Sequence, residues 1–276
     1  MKTRFLTCTT SIFLLIISCF TNASLLVSPT HIAFDTRERS KDIVLVNTSD
    51  SVKTYRIEWQ QKKSLEQGGY EAINDDEDFP IASDMLRYSP RQVTLQPNER
   101  QVVKLALRKP KGLRAGEYRS HLTFRALPSP NKTAPMQTGF AIDLKLRMSY
   151  SLPVIVRQGE NNLEIKAGSV SFTYIPDLKK GNIEVNFVRT GDYSSYGNIA
   201  AYWLPEGSTA EPTVIARLNG YSVYPELDKA SANLIWVDAD FTPTSGSLSI
   251  IYEGQGAYKG LVLEKNAFKI SPLIEK

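Results

Sequence analysis

The side chains that could do chemistry are few. Two histidines occur, His31 and His121, each inside an alternating, strand-like pattern ("HIAFD", "YRSHLTFRAL") where a structural or surface role is the ordinary reading. The sequence contains no HExxH, GxSxG, phosphate loop or Cys/His cluster. Asp75, Asp76, Glu77 and Asp78 follow one another in the long stretch "QGGYEAINDDEDFPIASDM", which reads as a solvated surface loop; weak calcium binding is the one metal chemistry such acids offer. These residues do not compose an active site, so a non-enzymatic protein without a cofactor is expected. The basic residues carry more information. "EYRSHLTFRAL" sets Arg119 and Arg125 on the parity of His121 and Thr123, opposite Tyr118, Leu122, Phe124 and Ala126. A solvated face explains such residues, but an arginine in a cleft can also grip a carboxylate with two parallel hydrogen bonds, which lysine cannot do. Arg119 lies nearer the end of its strand and is the better candidate for that role.

The elements that must position these residues are strands. "DIVLVN", "TYRIEWQ", "RQVTLQP" and "QVVKLALR" alternate or are rich in β-branched and aromatic residues, with turns at "NTSDS" and "QPNER" between them. About seven strands in some 130 residues suggest a Greek-key sandwich of immunoglobulin type. A second series follows, with "VSFTYI", "NIEVNFVR", "NIAAYWLP", "TVIARL", "ASANLIWV", "SLSIIYE" and "LVLEKNAFKI" divided by "DLKKGN", "RTGDYSSYG" and "TPTSGS". No helices alternate with these strands, which excludes a parallel α/β sheet. The expected fold is therefore all-β, with two immunoglobulin-like sandwiches at a fixed angle and a cleft between them.

One stretch is too long for either sandwich. In "GFAIDLKLRMSYSLP" the apolar residues Phe140, Ile142, Leu144, Leu146, Met148, Tyr150 and Leu152 occupy every second position. At about 3.3 Å per residue the run spans roughly 43 Å, more than twice an ordinary strand. A long edge strand that stays apolar is an aggregation hazard unless something pairs with it. Pro153 interrupts the pattern and is read as the start of the second domain.

The first 23 residues have the layout of a secretory signal. Lys2 and Arg4 precede the apolar "SIFLLIISCF", and the small residues Thr21 and Ala23 precede a cleavage point before Ser24. The apolar core is too short to span a bilayer. "IISC" ending at Cys19 offers a second reading as a bacterial lipobox. Cleavage before Ser24 removes both cysteines, Cys8 and Cys19, so an oxidising compartment would be reached without disulfides. It also removes Lys2 and Arg4, lowering the formal charge from +4 to +2, which gives no electrostatic case for nucleic acid or an anionic membrane. The expected division is a signal at 1–23, a first domain at 24–152 and a second at 153–276.

Together "SPRQVTLQPNERQVVKLALRKP" at 89–110, "GEYRSHLTFRALP" at 116–128, the alternating strand at 140–152, "LPVIVRQG" at 152–159 and "RTGDYSSYG" at 189–197 resemble the periplasmic chaperones of the chaperone–usher pilus pathway, with forms closer to the archaic or alternative branch. The resemblance implies a boomerang of two sandwiches in the periplasm that binds pilus subunits and delivers them to an outer-membrane usher without ATP. The last strand of the first domain would lend alternate side chains, here Phe140, Ile142, Leu144 and Leu146, to a subunit lacking its own final strand. Classical members of the family hold the subunit's terminal carboxylate with an Arg in the first strand and a Lys in the donor strand. This chain has Pro29 and Met148 at or near those positions, and Leu152 where an Arg often precedes the linker proline. The anchor would then have moved, with Arg119 the first substitute and Arg147 and Lys145 behind it.

Two other functions fit a secreted two-sandwich chain. One is a pilus subunit or surface adhesin, although subunits are usually single incomplete domains with an N-terminal donor extension. The other is carbohydrate binding on a stacking platform of Tyr196, Tyr202 and Trp203, rings more ordinarily found in a core.

Overall fold

The computed structural model describes residues 24–35, 37–74, 77–128 and 148–274. The proposed signal, the acids Asp75 and Asp76, and the residues Phe140, Ile142, Leu144, Lys145, Leu146 and Arg147 lie outside them.

The first module contains β1 (Leu25–Ser28), β2 (Ile32–Phe34), β3 (Ser40–Asn47), β4 (Lys53–Gln60), β5 (Lys62–Ser64), β6 (Tyr70–Ala72), β7 (Leu86–Ser89), β8 (Gln92–Leu95), β9 (Arg100–Leu107), β10 (Gly116–Ala126) and β11 (Ser149–Gln158). Two sheets face each other, ordered β1-β3-β9-β7 and β2-β11-β10-β4-β8. The period-2 pattern explains why they stack. Ile43 and Leu45, Tyr55 and Ile57, Val93 and Leu95, and Val103 and Leu105 are all buried in one core, while the residues between them point outward. Pro29 divides the first strand: β1 pairs with β3 in one sheet and β2 runs parallel to β11 in the other. A residue without an N–H cannot continue a ladder, so the chain changes sheets there.

The second module contains β12 (Glu164–Ile175), β13 (Lys180–Thr190), β14 (Gly197–Pro205), β15 (Thr213–Tyr221), β16 (Lys229–Trp236), β17 (Gly246–Gly254), β18 (Val262–Ile270) and β19 (Leu273–Ile274). They form one eight-stranded sheet ordered β18-β17-β14-β15-β16-β13-β12-β19. The sheet curls on itself, because β12 near one end meets β18 at the other: the Ala167 amide donates to Glu264 Oε1 at 3.1 Å. A register shift between Ala167 and Ser169 helps β12 bend. Its core is aromatic, with Phe172, Trp203 and Phe241 in mutual ring contact. Trp203 is therefore core, Tyr196 lies against His31 at the seam between modules, and Tyr202 faces outward; the three rings form no stacking platform. Among the described residues the helical turns are three-residue 3-10 turns only, and the all-β expectation holds.

The boundary differs from the expected one. β11 runs unbroken through Pro153, and Leu152, Val154 and Val156 all join the first core. The first module thus ends at Gln158 rather than Leu152. Pro153 is tolerated because β11 pairs with β10 on one side throughout, whereas β2 begins to pair on the other side only at Val154. The missing N–H costs no ladder bond.

Candidate functional site

β10 is buried on both faces, and the second face explains the polar parity noticed in the sequence. Leu122 and Phe124 point into the first core, while Glu117, Arg119, His121 and Thr123 point away from it and are nevertheless buried. The second module and the β5–β6 hairpin cover them. Charges removed from water in this way need partners.

Arg119, 2% exposed, finds its partner across the seam. Nη1 donates to Glu226 Oε2 at 3.1 Å, and Nη2 donates to Glu226 Oε1 and to the Lys62 carbonyl. The guanidinium stacks 3.8 Å from the Tyr224 ring centroid and lies 5.4 Å from that of Phe79. The bidentate grip foreseen for Arg119 is real, but the carboxylate belongs to this chain, so Arg119 is not free to anchor a partner's terminus. Arg125 sits past the seam and pairs with Glu58 at 3.2 Å on the surface.

Two ladder positions along, on the same face, Glu117 lies opposite Arg157 of β11. Arg157 Nε donates to Glu117 Oε2 at 3.0 Å, and the same oxygen accepts from the Ser194 amide at 3.0 Å and the Ser194 hydroxyl at 2.8 Å. Arg157 also lies between the rings of Tyr193 and Tyr258. The stretch "RTGDYSSYG" therefore supplies the second module's half of the seam. Arg189, from the same stretch, donates to the carbonyls of Leu227, Gly191, Tyr193 and Pro225 at 2.7 to 3.3 Å. It ties together the two loops that carry Ser194 and Glu226. The sequence signal was an arginine opening a Gly- and Ser-containing loop; its four acceptors could not be read locally.

The β5–β6 hairpin clasps the second module from the other side. Ser64 N donates to Glu226 Oε1 at 2.8 Å, Ser231 N donates to the Glu66 carbonyl at 2.8 Å, and the hydroxyls of Tyr70 and Tyr224 meet at 3.3 Å. Tyr70 closes edge-on over His121, with ring centroids 4.7 Å apart. Burial, helped by Arg119 and Lys62, pushes the His121 pKa down to about 3. His31 stacks flat on Tyr196 at 3.8 Å, and burial, Arg157 and Lys41 push it down to about 3 as well. Both histidines of the chain thus sit neutral at the seam.

Among the described residues an unpaired strand edge lies beside this seam. β11 pairs with β10 from Gln158 back to Ser149, but with β2 only at Val154, Ile155 and Val156. From Ser149 to Pro153 the outer edge of β11 meets no strand among the described residues. Among the described residues the β10 ladder reaches Arg125 opposite Ser149, and the apolar alternation continues in the sequence to Phe140. Met148, at the mouth of this edge, is 60% exposed. Among the described residues no group of three or more His, Cys, Asp or Glu side chains could hold a metal ion, and no helix is long and apolar enough to cross a membrane.

No family model matches the chain, and no curated protein matches it. Solved structures do. The CupB2 chaperone of Pseudomonas aeruginosa is similar at 14% identity over 89% of this chain and 100% of that one, with a TM-score of 0.43. The YadV chaperone is similar at 9% identity over 90% and 100%, with a TM-score of 0.45. A SafA pilin–SafB chaperone complex from Salmonella enterica is similar at 11% identity over 90% and 96%, with a TM-score of 0.45. Likenesses this distant leave the fold resting on the ladders themselves, which make a two-sheet sandwich and a curled eight-stranded sheet joined by buried ion pairs, with a strand edge unpaired among the described residues beside them.

Proposed function

We propose that this chain is a periplasmic, non-catalytic chaperone that captures pilus subunits by strand addition and passes them to an outer-membrane usher. The observation that carries the reading is the mismatch at β11. Among the described residues β10 pairs with it as far as Ser149, and in the sequence the apolar parity that packs Leu152 into the core continues for several more residues. Phe140, Ile142, Leu144 and Leu146 are the side chains proposed to fill the groove of a subunit lacking a strand. A fixed seam supports this role, because an edge can be matched to a folded groove only if its flanking module does not wander. With Arg119 committed to Glu226, the subunit's terminal carboxylate falls to Lys145 or Arg147, on the same run as the donor residues. Cleavage before Ser24 would deliver the chain to the periplasm without cysteines.

The test is to isolate the tagged chain from the periplasm. Intact mass is expected to place the N-terminus at Ser24, and a small pilin-type subunit is expected to co-purify in equimolar amount. A diacylglycerol adduct on Cys19 would overturn the soluble reading, and self-polymers without a second protein would favour a structural subunit.

A further inference from the structure

On the seam, β10, residues 78–80, Pro225 and Glu226 enclose a cavity of about 280 Å3. Phe79, Pro80 and Pro225 give it apolar walls, Asp78 stands at its exposed rim, and Glu117 and Arg119 lie within it. Two buried atoms of those last residues have no protein partner. Glu117 Oε2 accepts three hydrogen bonds while Oε1 accepts none, and Arg119 binds through both terminal nitrogens while Nε–H donates to nothing. Both residues are more than nine-tenths buried. A bare carboxylate oxygen and a bare guanidinium N–H in a largely apolar cavity are costly groups, and they point to a ligand that satisfies both.

The charges say which ligand. Glu117 is already matched by Arg157, and Arg119 by Glu226. An anion entering the cavity would meet Glu117 and Glu226, and a cation, although Asp78 stands at the exposed rim, would have to shed water beside the Arg119 guanidinium to reach Glu117 Oε1. A neutral group with one donor and one acceptor meets neither objection. Residues 117 and 119 are two apart on one strand face, about 6.6 Å along the backbone. An amide carries its N–H donor and C=O acceptor on adjacent atoms, each able to make a hydrogen bond of about 2.9 Å to one of two neighbouring side chains. The size of the cavity suits one side chain rather than a drug-sized molecule.

We infer that this seam cavity binds a carboxamide on a short apolar stem, its N–H donating to Glu117 Oε1 and its carbonyl accepting from Arg119 Nε, as a glutamine or asparagine side chain of a protein partner would present it.

The probes are propionamide, propionate and propylammonium, titrated into the intact mature chain while the Arg119 Nε–H resonance is followed by 15N NMR. Propionamide is expected to shift that resonance saturably and to bind at least about tenfold more tightly than either charged analogue, the discrimination of one well-made hydrogen bond. N-acetylglutamine methylamide is expected to bind more tightly than propionamide, because the source is a protein side chain. Pro225→Phe, which fills the cavity from the second module, should abolish the shift while the thermal midpoint stays near that of the parent; should this variant unfold, Pro80→Phe gives the same test from the first module. No saturable shift, or tighter binding of either charged probe, overturns the site. Weaker binding of the glutamine derivative than of propionamide overturns the protein source.

Discussion

Arg119 of the first module and Glu226 of the second share a two-point hydrogen-bonded ion pair, with the guanidinium laid on the ring of Tyr224. The pair makes the angle between the sandwiches a property of the fold. Removing one member leaves the other charge buried alone, at a cost of about 3–5 kcal/mol. Arg119→Ala is therefore expected to lower the thermal midpoint substantially, and the double change Arg119→Met with Glu226→Met to recover much of the loss. Additive losses in the double variant would show that the two residues are not coupled.

The histidines set an acid limit. With a folded pKa of about 3 against an unfolded value of 6.5, His121 binds fewer protons in the folded state between those values. Its neutral state is therefore fully compatible with folding above about pH 6.5, and stability falls as pH drops from there toward 3, by up to about 1.4 kcal/mol per unit. The groups facing it are Arg119, Lys62 and Tyr70, and both cations oppose its protonation. Denaturation curves between pH 7 and 4 should show a shallower acid limb in His121→Leu than in the parent. Parallel curves would contradict the assignment.

Arg189 tests the loops behind the seam. Its guanidinium fork reaches four carbonyls, which a lysine ammonium cannot reproduce. Arg189→Lys is expected to destabilise the chain by about 1–3 kcal/mol and to speed hydrogen exchange at Ser194 and Leu227 specifically. Uniform exchange changes across the second module would assign Arg189 a general role instead.

The strands were legible because burial on one face imposes a period of two, and β3, β4, β8 and β9 show it plainly. Pro153 was misleading for a physical reason: a proline ends pairing only on the side where its N–H would have donated, and β2 has not yet begun there. The parity of Arg119 was readable too, but its partner was not. Glu226 lies 107 residues away and is brought close by the packing of two modules, which leaves no local trace. The same holds for Glu117, which looks like an ordinary surface acid at the start of a strand until Arg157 and Ser194 close around it. The run from Phe140 to Leu146 was conspicuous for the opposite reason, because with β11 its alternation is longer than an ordinary strand.

That excess is the central claim, and the most direct measurement is the survival of a co-expressed pilus subunit in the periplasm with the parent chain or with Ile142→Asp combined with Leu144→Asp. Each buried donor side chain is worth about 1.5–3 kcal/mol, so the double variant is expected to keep its own thermal midpoint while the subunit is degraded and no complex is recovered. A variant that folds normally and still protects the subunit as well as the parent would show that this strand is not the donor.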